Sequence, residues 1–139
     1  MSHKTGSEIE ADVYAIISAS AIKAAITGKV YKSGMRPLNS TKEDAIVTFM
    51  TGLDDQIQTG ALNVNIYVPD IDNGGGQLVK NGARCQALEV MANEIIQGLK
   101  PTTSYRFQLG ATIQTFAVQG VPLNQHFVNV KIKFELLTF

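Results

Sequence analysis

Oxygen-bearing side chains and glycines crowd together in Asp70-Ile71-Asp72-Asn73-Gly74-Gly75-Gly76, directly behind a strand-like run. An acidic residue followed two places later by another is how a calcium loop opens. That motif needs an oxygen ligand at its fifth position and a bidentate Glu at its twelfth. Here Gly74 and Asn81 stand at those places, so the calcium motif fails. A glycine run after a strand also invites comparison with a dinucleotide-binding turn, but Val79 stands where the third glycine belongs. No Gly-Lys-Ser/Thr follows, which removes the phosphate-binding P-loop. Residues 69–80 therefore read as a flexible polar surface loop between a strand and a helix, of the kind that orders on meeting a partner.

No other group of residues makes a better site. The chain has two histidines: His3 near the start and His126 in a turn before the last strand. A lone histidine without nearby cysteine is not a metal site. Ser40, His126 and Asp54 can be set side by side on paper, but no nucleophile-elbow motif supports them. Asp54-Asp55 is a carboxylate pair on a turn, where solvation is the ordinary fate. Cys85 is the single cysteine, which excludes an intrachain disulfide and a multi-thiolate zinc site. Its neighbours Ala83, Ala87 and Leu88 place it on a helix as a small buried hydrophobe, with Arg84 alongside as the feature that would favour a reactive thiol. Lys131 and Lys133 point from one face of the last strand with Asn129 beside them, either as a solvated face or as a contact for an acidic partner. No catalytic, cofactor-binding or metal-binding residue is assigned.

The elements that must carry these residues follow from composition and periodicity. The 139 residues suit one domain with one core. Twelve basic and twelve acidic residues cancel, which argues against a general nucleic-acid or anionic-membrane binder and leaves self-association nearly unopposed. The sequence has no secretion signal and no apolar window of membrane-spanning length, so the cytoplasm is the expected location and the sequon at Asn39-Ser40-Thr41 is idle. Residues 1–6 read as a flexible tail. Ile9, Val13, Ile16, Ile17, Ala21 and Ala24 make a helical stripe, with a capping box at Ser7 and Glu10 and a stop at Gly28.

Strands are expected over residues 29–31 and 43–51, with a turn at residues 52–55 leading to the strand 61–68. There Leu62, Val64, Ile66 and Val68 alternate with Asn63, Asn65 and Tyr67 until Pro69 ends the ladder. A second helix runs from about residue 80 to 99, with Asn81 as its N-cap. Residues 105–109, 112–119 (ended by Gly120-Val121-Pro122) and 128–136 complete the strands. The outline is an α+β fold in the order αββ(β)αβββ: a mainly antiparallel twisted sheet of about five or six strands packed with two helices, with strand 61–68 in its middle.

That order, with VYKSGMRPLNSTKEDAIV (residues 30–47) and NVNIYVPDID (residues 63–72) at its centre, resembles the small tail-completion, or tail-terminator, proteins of tailed bacteriophages and prophages. Tyr31, Arg36-Pro37 and Ile66-Tyr67-Val68-Pro69 carry most of the likeness. The resemblance implies a non-enzymatic structural protein without a cofactor. It would form a ring, often hexameric, at the head-proximal end of the tail tube, stop tube growth and dock head-completion proteins. Its partners would be further copies of itself, tail-tube proteins and head-completion proteins, with no sequence-specific nucleic acid and no membrane. It would reside in the cytoplasm of a bacterial host before assembly and in the virion tail afterwards. Under that reading the contact residues are Asn63, Asn65, Asp70, Asp72, Asn73, Lys131 and Lys133. Two alternatives stay open: another head–tail neck connector or tube subunit, and a small ligand-binding domain or enzyme that uses the glycine-rich loop.

Overall fold

The computed structural model describes residues 3–101, 104–120 and 124–137. Helix α1 (Gly6–Ser18) starts at Thr5, whose hydroxyl accepts the Glu8 amide at 3.3 Å while the Glu8 carboxylate accepts the Thr5 amide at 3.0 Å. The capping box therefore sits two residues before the expected Ser7–Glu10 pair. Glu10 instead accepts the amides of Ser33 and Phe49, each at 3.1 Å, and ties the helix to the sheet. The expected single helix up to Gly28 is broken. Ser20 Oγ donates to the Ile17 carbonyl at 2.6 Å and accepts from the Ile22 amide, so its side chain takes over backbone bonds and restarts the chain as α2 (Ala21–Ala25). The N-terminal stretch is tethered as well: Lys4 and the buried Gln58 exchange two hydrogen bonds, at 2.8 and 3.1 Å.

The sheet has six strands. They are β1 (Val30–Lys32), β2 (Ala45–Leu53), β3 (Ile57–Pro69), β6 (Tyr105–Leu109), β7 (Gln114–Ala117) and β8 (Gln125–Leu137), in the order β1-β2-β3-β8-β6, with β7 also on β8. All pairings are antiparallel except β1 with β2, which is parallel. The fold is thus α+β with a mostly antiparallel sheet, as expected, and β3 and β8 form its centre. The β2–β3 hairpin is also present, and the last β3 partner is Pro69, paired with Gln125. Residues 57–60, which lie between the expected turn and the strand expected from residue 61, belong to β3. The glycine loop holds a second, two-stranded sheet, β4 (Ile71–Asp72) against β5 (Leu78–Val79). Helix α3 (Gly82–Gln97) begins at Asn81, whose Oδ1 accepts the Arg84 amide, as its sequence suggests. The strand end expected at Gly120-Val121-Pro122 falls partly outside the described residues.

Alternation decides where the core sits. Leu62, Val64, Ile66 and Val68 of β3 and Val128, Val130, Ile132, Phe134 and Leu136 of β8 point to one face and are fully buried or nearly so. Ile9, Val13 and Ile17 of α1 and Cys85, Leu88, Ala92 and Ile96 of α3 close over that face. Burying each Leu, Ile or Val stabilises the fold by about 1.5–3 kcal/mol. Lys4 and Tyr105 both bond the Asp12 carboxylate, at 2.5 and 2.6 Å, which pins α1 to β6. Among the described residues all helix–sheet packing is on this side, which makes two layers, and no helix covers the other sheet face.

At the crossing of β2 and β3, Gly60 faces Gly52. A Cβ on Gly60 would run into the Thr51 carbonyl, the Gly52 Cα and the Phe134 ring. Gly60→Ala is therefore expected to cost about 1–3 kcal/mol, the range for overpacking. Urea unfolding followed by circular dichroism should show the midpoint fall with the slope unchanged.

Candidate functional site

Just before β2, Glu43 and Asp44 are both buried, which is unusual for carboxylates outside a paired network. Asp44 is 1% exposed, and its oxygens take four partners. Oδ1 accepts the Lys29 amide at 2.9 Å; Oδ2 accepts Arg36 Nε at 2.9 Å and the Ser40 hydroxyl at 2.5 Å. The fourth contact is on its backbone side, where the Asp44 carbonyl accepts the Tyr67 amide at 2.8 Å. Arg36 also donates to the carbonyls of Ser40 and Lys42 and to Gln125 Oε1 at 3.1 Å, and its guanidinium lies 4.2 Å from the centre of the Tyr67 ring. The loop at Arg36-Pro37 and the end of β3 thus meet through one cation–π contact. Gly28 is required here because a Cβ would collide with the Asp44 carboxylate, so its role is close approach and not the helix stop read from sequence. Next door, Arg84 of α3 makes a two-pronged bond to Glu43, both contacts at 2.8 Å, and donates to the Ala25 carbonyl at 2.6 Å. The hydrogen bonds that Arg84 donates to Glu43 raise its pKa against the opposing effect of burial.

This network folds residues 33–42 over one end of the uncovered sheet face. Beyond that loop, among the described residues, the face carries no covering element. Cross-strand neighbours fill it in rows: Thr48 beside Asn63 beside Lys131, and Ile46 beside Asn65 beside Asn129. Asn129 donates to Asn65 at 2.8 Å. Lys133 stands next to Ala61, and the stems of Lys131 and Lys133 lie over Gly110. Nearer the covered end, Tyr67, Phe127 and Phe116 form an aromatic row with successive ring centres 5.7 Å apart. Asn63 Oδ1 is enclosed without a hydrogen-bond partner among the described residues, a cost of about 1–3 kcal/mol in a buried site.

Of the expected contact residues, Asn63, Asn65, Lys131 and Lys133 share this face. Asp70, Asp72 and Asn73 do not join them. Asp70 turns inward and bonds His126 Nδ1 at 2.7 Å. Asp72 Oδ1 accepts the amides of Gly74 and Gly76, and Asn73 Oδ1 accepts those of Gly75 and Gln77. Gly74 and Gly76 take positive φ of 95° and 85°, which closes the turn between β4 and β5. The loop amides that would cradle a phosphate are therefore already engaged by the chain's own oxygens.

The remaining candidate chemistry is dispersed. Ser40 bonds Asp44, His126 bonds Asp70 and Asp54 bonds His3, so the three do not form a triad. Cys85 is buried, and burial pushes its thiol pKa up, away from nucleophilic reactivity. Among the described residues no group of three or more His, Cys, Asp and Glu is placed to hold a metal ion. Among the described residues no helix is long and apolar enough to cross a membrane. A cleft of about 690 Å³ opens at the far end of the sheet between Gly60, Phe107, Phe134 and Lys133.

No known protein family matches this chain, and no curated relative matches it. A solved structure whose description names no activity superimposes with a TM-score of 0.51 over 95% of this chain and 96% of that one, at 12% identity. At that identity the likeness establishes the shared fold alone.

Burial by itself would raise the Asp44 pKa. The hydrogen bonds from Ser40, the Lys29 amide and Arg36, together with the Arg36 charge, outweigh it and hold the carboxyl below its ordinary value. A carboxyl lowered in this way stabilises the fold above its unfolded value, near pH 4, and that stability is lost as pH falls through the folded value. Asp44→Asn should therefore flatten the acid limb of a stability–pH curve below about pH 4. Asp44→Ala, which leaves Arg36 unpaired, should cost about 3–5 kcal/mol at pH 7. Chemical denaturation across pH 2–7 measures both.

Proposed function

We propose that the chain is a non-enzymatic assembly protein of the tail-completion or tail-terminator kind, which closes into a ring of several copies, a hexamer in the typical case, at the head-proximal end of a tail tube. The observation that supports this best is the uncovered sheet face, where Asn63, Asn65, Asn129, Lys131 and Lys133 stand in ordered rows with no group placed for catalysis. Ordered polar rows on paired strands suit recognition of another protein. Among the described residues no group of three or more His, Cys, Asp and Glu is placed to hold a metal ion, and Ser40, His126 and Asp54 each bond a different partner.

On this reading the face contacts neighbouring copies, the tube end or head-completion proteins, and no cofactor is needed. The protein would gather in the host cytoplasm and then join the virion tail. A ring requires two different, matching surfaces on each copy, and the same contact would build an open tube if its rotation did not close. A neck connector or tube subunit would use the same face, and the closure of the assembly separates these roles.

Light scattering on a size-exclusion column, with negative-stain imaging, tests the reading. Closed rings of several copies are expected at micromolar concentration. Lys131→Glu combined with Lys133→Glu should lower assembly about tenfold or more while thermal stability stays near wild type, because both side chains are exposed. Open filaments in place of rings would favour the tube-subunit role, and a strict monomer at high concentration, alone and with tube ends added, would sink the proposal.

A further inference from the structure

Leu38 and Met35 are 87% and 67% exposed, two of the three most exposed large hydrophobic side chains among the described residues. Neither is on a frayed segment. Leu38 follows Pro37 in a turn closed by the Ser40 amide on the Pro37 carbonyl at 3.2 Å, and the Met35 amide donates to the Lys32 carbonyl at 3.1 Å. Arg36, between them, is locked by Asp44, Gln125 and two carbonyls of its own loop. A buried ion pair thus holds an apolar knob out into water. The backbone that carries them is fixed, so binding would have to order only their side-chain rotamers.

A second apolar surface lies on helix α3: Cys85, Leu88, Ala92 and Ile96 face the core, while Ala83, Ala87, Val90 and Met91 form a shallow, open apolar strip along the outer side, here called the trough, beside Gln86 and Glu94. Val90 is 51% exposed. The small alanines leave room, and the spacing of these residues along the helix is that of one helix face. Charge agrees with this pairing. Arg84 and Glu89 are turned to Glu43 and Thr115, so Glu94 is the charge at the trough, whereas the knob loop carries exposed Lys42 and its neighbouring acid Asp44 is neutralised by Arg36.

We infer that the Met35 and Leu38 knob of one copy seats in the α3 trough of the next copy, with Lys42 approaching Glu94. The knob stands at the uncovered face and the trough in the helix layer behind the sheet, so the contact is head-to-tail between unlike surfaces, the type a ring needs. This inference rests on the assembly reading above and supplies a second contact besides the polar sheet face.

The test uses full-length chains in a Cys85→Ala background. One preparation carries Leu38→Cys and another Val90→Cys; they are mixed and treated with a short bismaleimide cross-linker. A covalent dimer containing one chain of each kind is expected, with little product when either thiol is blocked first. In parallel, Leu38→Asp should weaken self-association about tenfold or more with an unchanged melting temperature. If wild-type rings form but no mixed dimer appears and Leu38→Asp assembles normally, the knob-and-trough contact is wrong and the assembly reading stands. Mixed dimers without closed rings keep the contact and sink the ring. A monomer with neither product overturns both, and another protein must then occupy the trough.

Discussion

The buried pair Arg36–Asp44 is the constraint on which the site depends. Removing two charges from water costs several kcal/mol each, and only good geometry with every remaining hydrogen-bonding position filled recovers that cost. Here it is filled by Ser40, the Lys29 amide, two loop carbonyls and Gln125, with the Tyr67 ring beneath the guanidinium. Those partners come from four parts of the chain: Lys29 ahead of β1, the loop holding Ser40 and Lys42, Tyr67 of β3 and Gln125 of β8. The ion pair therefore cannot form unless β1, the loop over residues 33–42, β3 and β8 are already in register. It buys specificity of arrangement, and the arrangement includes an apolar knob that no hydrophobic force within the chain would keep in place.

A second consequence is the asymmetry of the two layers. Helices α1 and α3 cover one sheet face, and their apolar stripes match the inward alternation of β3 and β8. The outward alternation has asparagine and lysine in the centre and aromatic rings toward the Arg36 end. Arg36 caps the last of these rings, which limits how much apolar surface the face exposes. What is left open is asparagine and lysine at the centre, with Phe116 exposed at the edge of the aromatic row. A zero net charge means that copies meeting on such surfaces feel little long-range repulsion, so local pairing decides orientation.

How much of this the sequence made legible depends on the range of the interactions. The alternation of β3 and β8, the α3 boundaries with the Asn81 cap and the antiparallel sheet are local patterns, and each is where periodicity places it. The Ser20 break was hidden because the apolar stripe continues through it and only the hydroxyl's bonds to Ile17 and Ile22 interrupt the helix. Glu10 looked like a capping residue because its spacing from Ser7 is right, yet Thr5 and Glu8 satisfy the same rule two residues earlier. The β4–β5 hairpin was masked by its glycines, whose amides are held by Asp72 and Asn73. For the site, Asn63, Asn65, Lys131 and Lys133 were readable as one face from strand parity. Asp70 was not, since the pairing of Pro69 with Gln125 turns it toward His126. The Arg36–Asp44 network spans residues 29 to 125, and its sole local sign is a Glu-Asp pair set directly against a buried strand.

Knob, trough and polar face lie on separate elements, yet they are mechanically linked. The Arg84–Glu43 bond ties the first turn of α3, where the trough begins, to the residue next to Asp44. Arg36 ties the knob to Asp44 itself, and the Asp44 carbonyl holds the Tyr67 amide of the polar face. Glu43 and Asp44 are adjacent on the chain, so their side chains fall on opposite sides of the β2 line: one reaches the helix layer, the other the open face. Two consecutive carboxylates thus fix the relative position of three surfaces without a covalent cross-link. In the proposed ring, copies would have to meet at one defined angle, and that rigidity would matter more than the strength of any single contact, because a few degrees of error per copy would prevent closure.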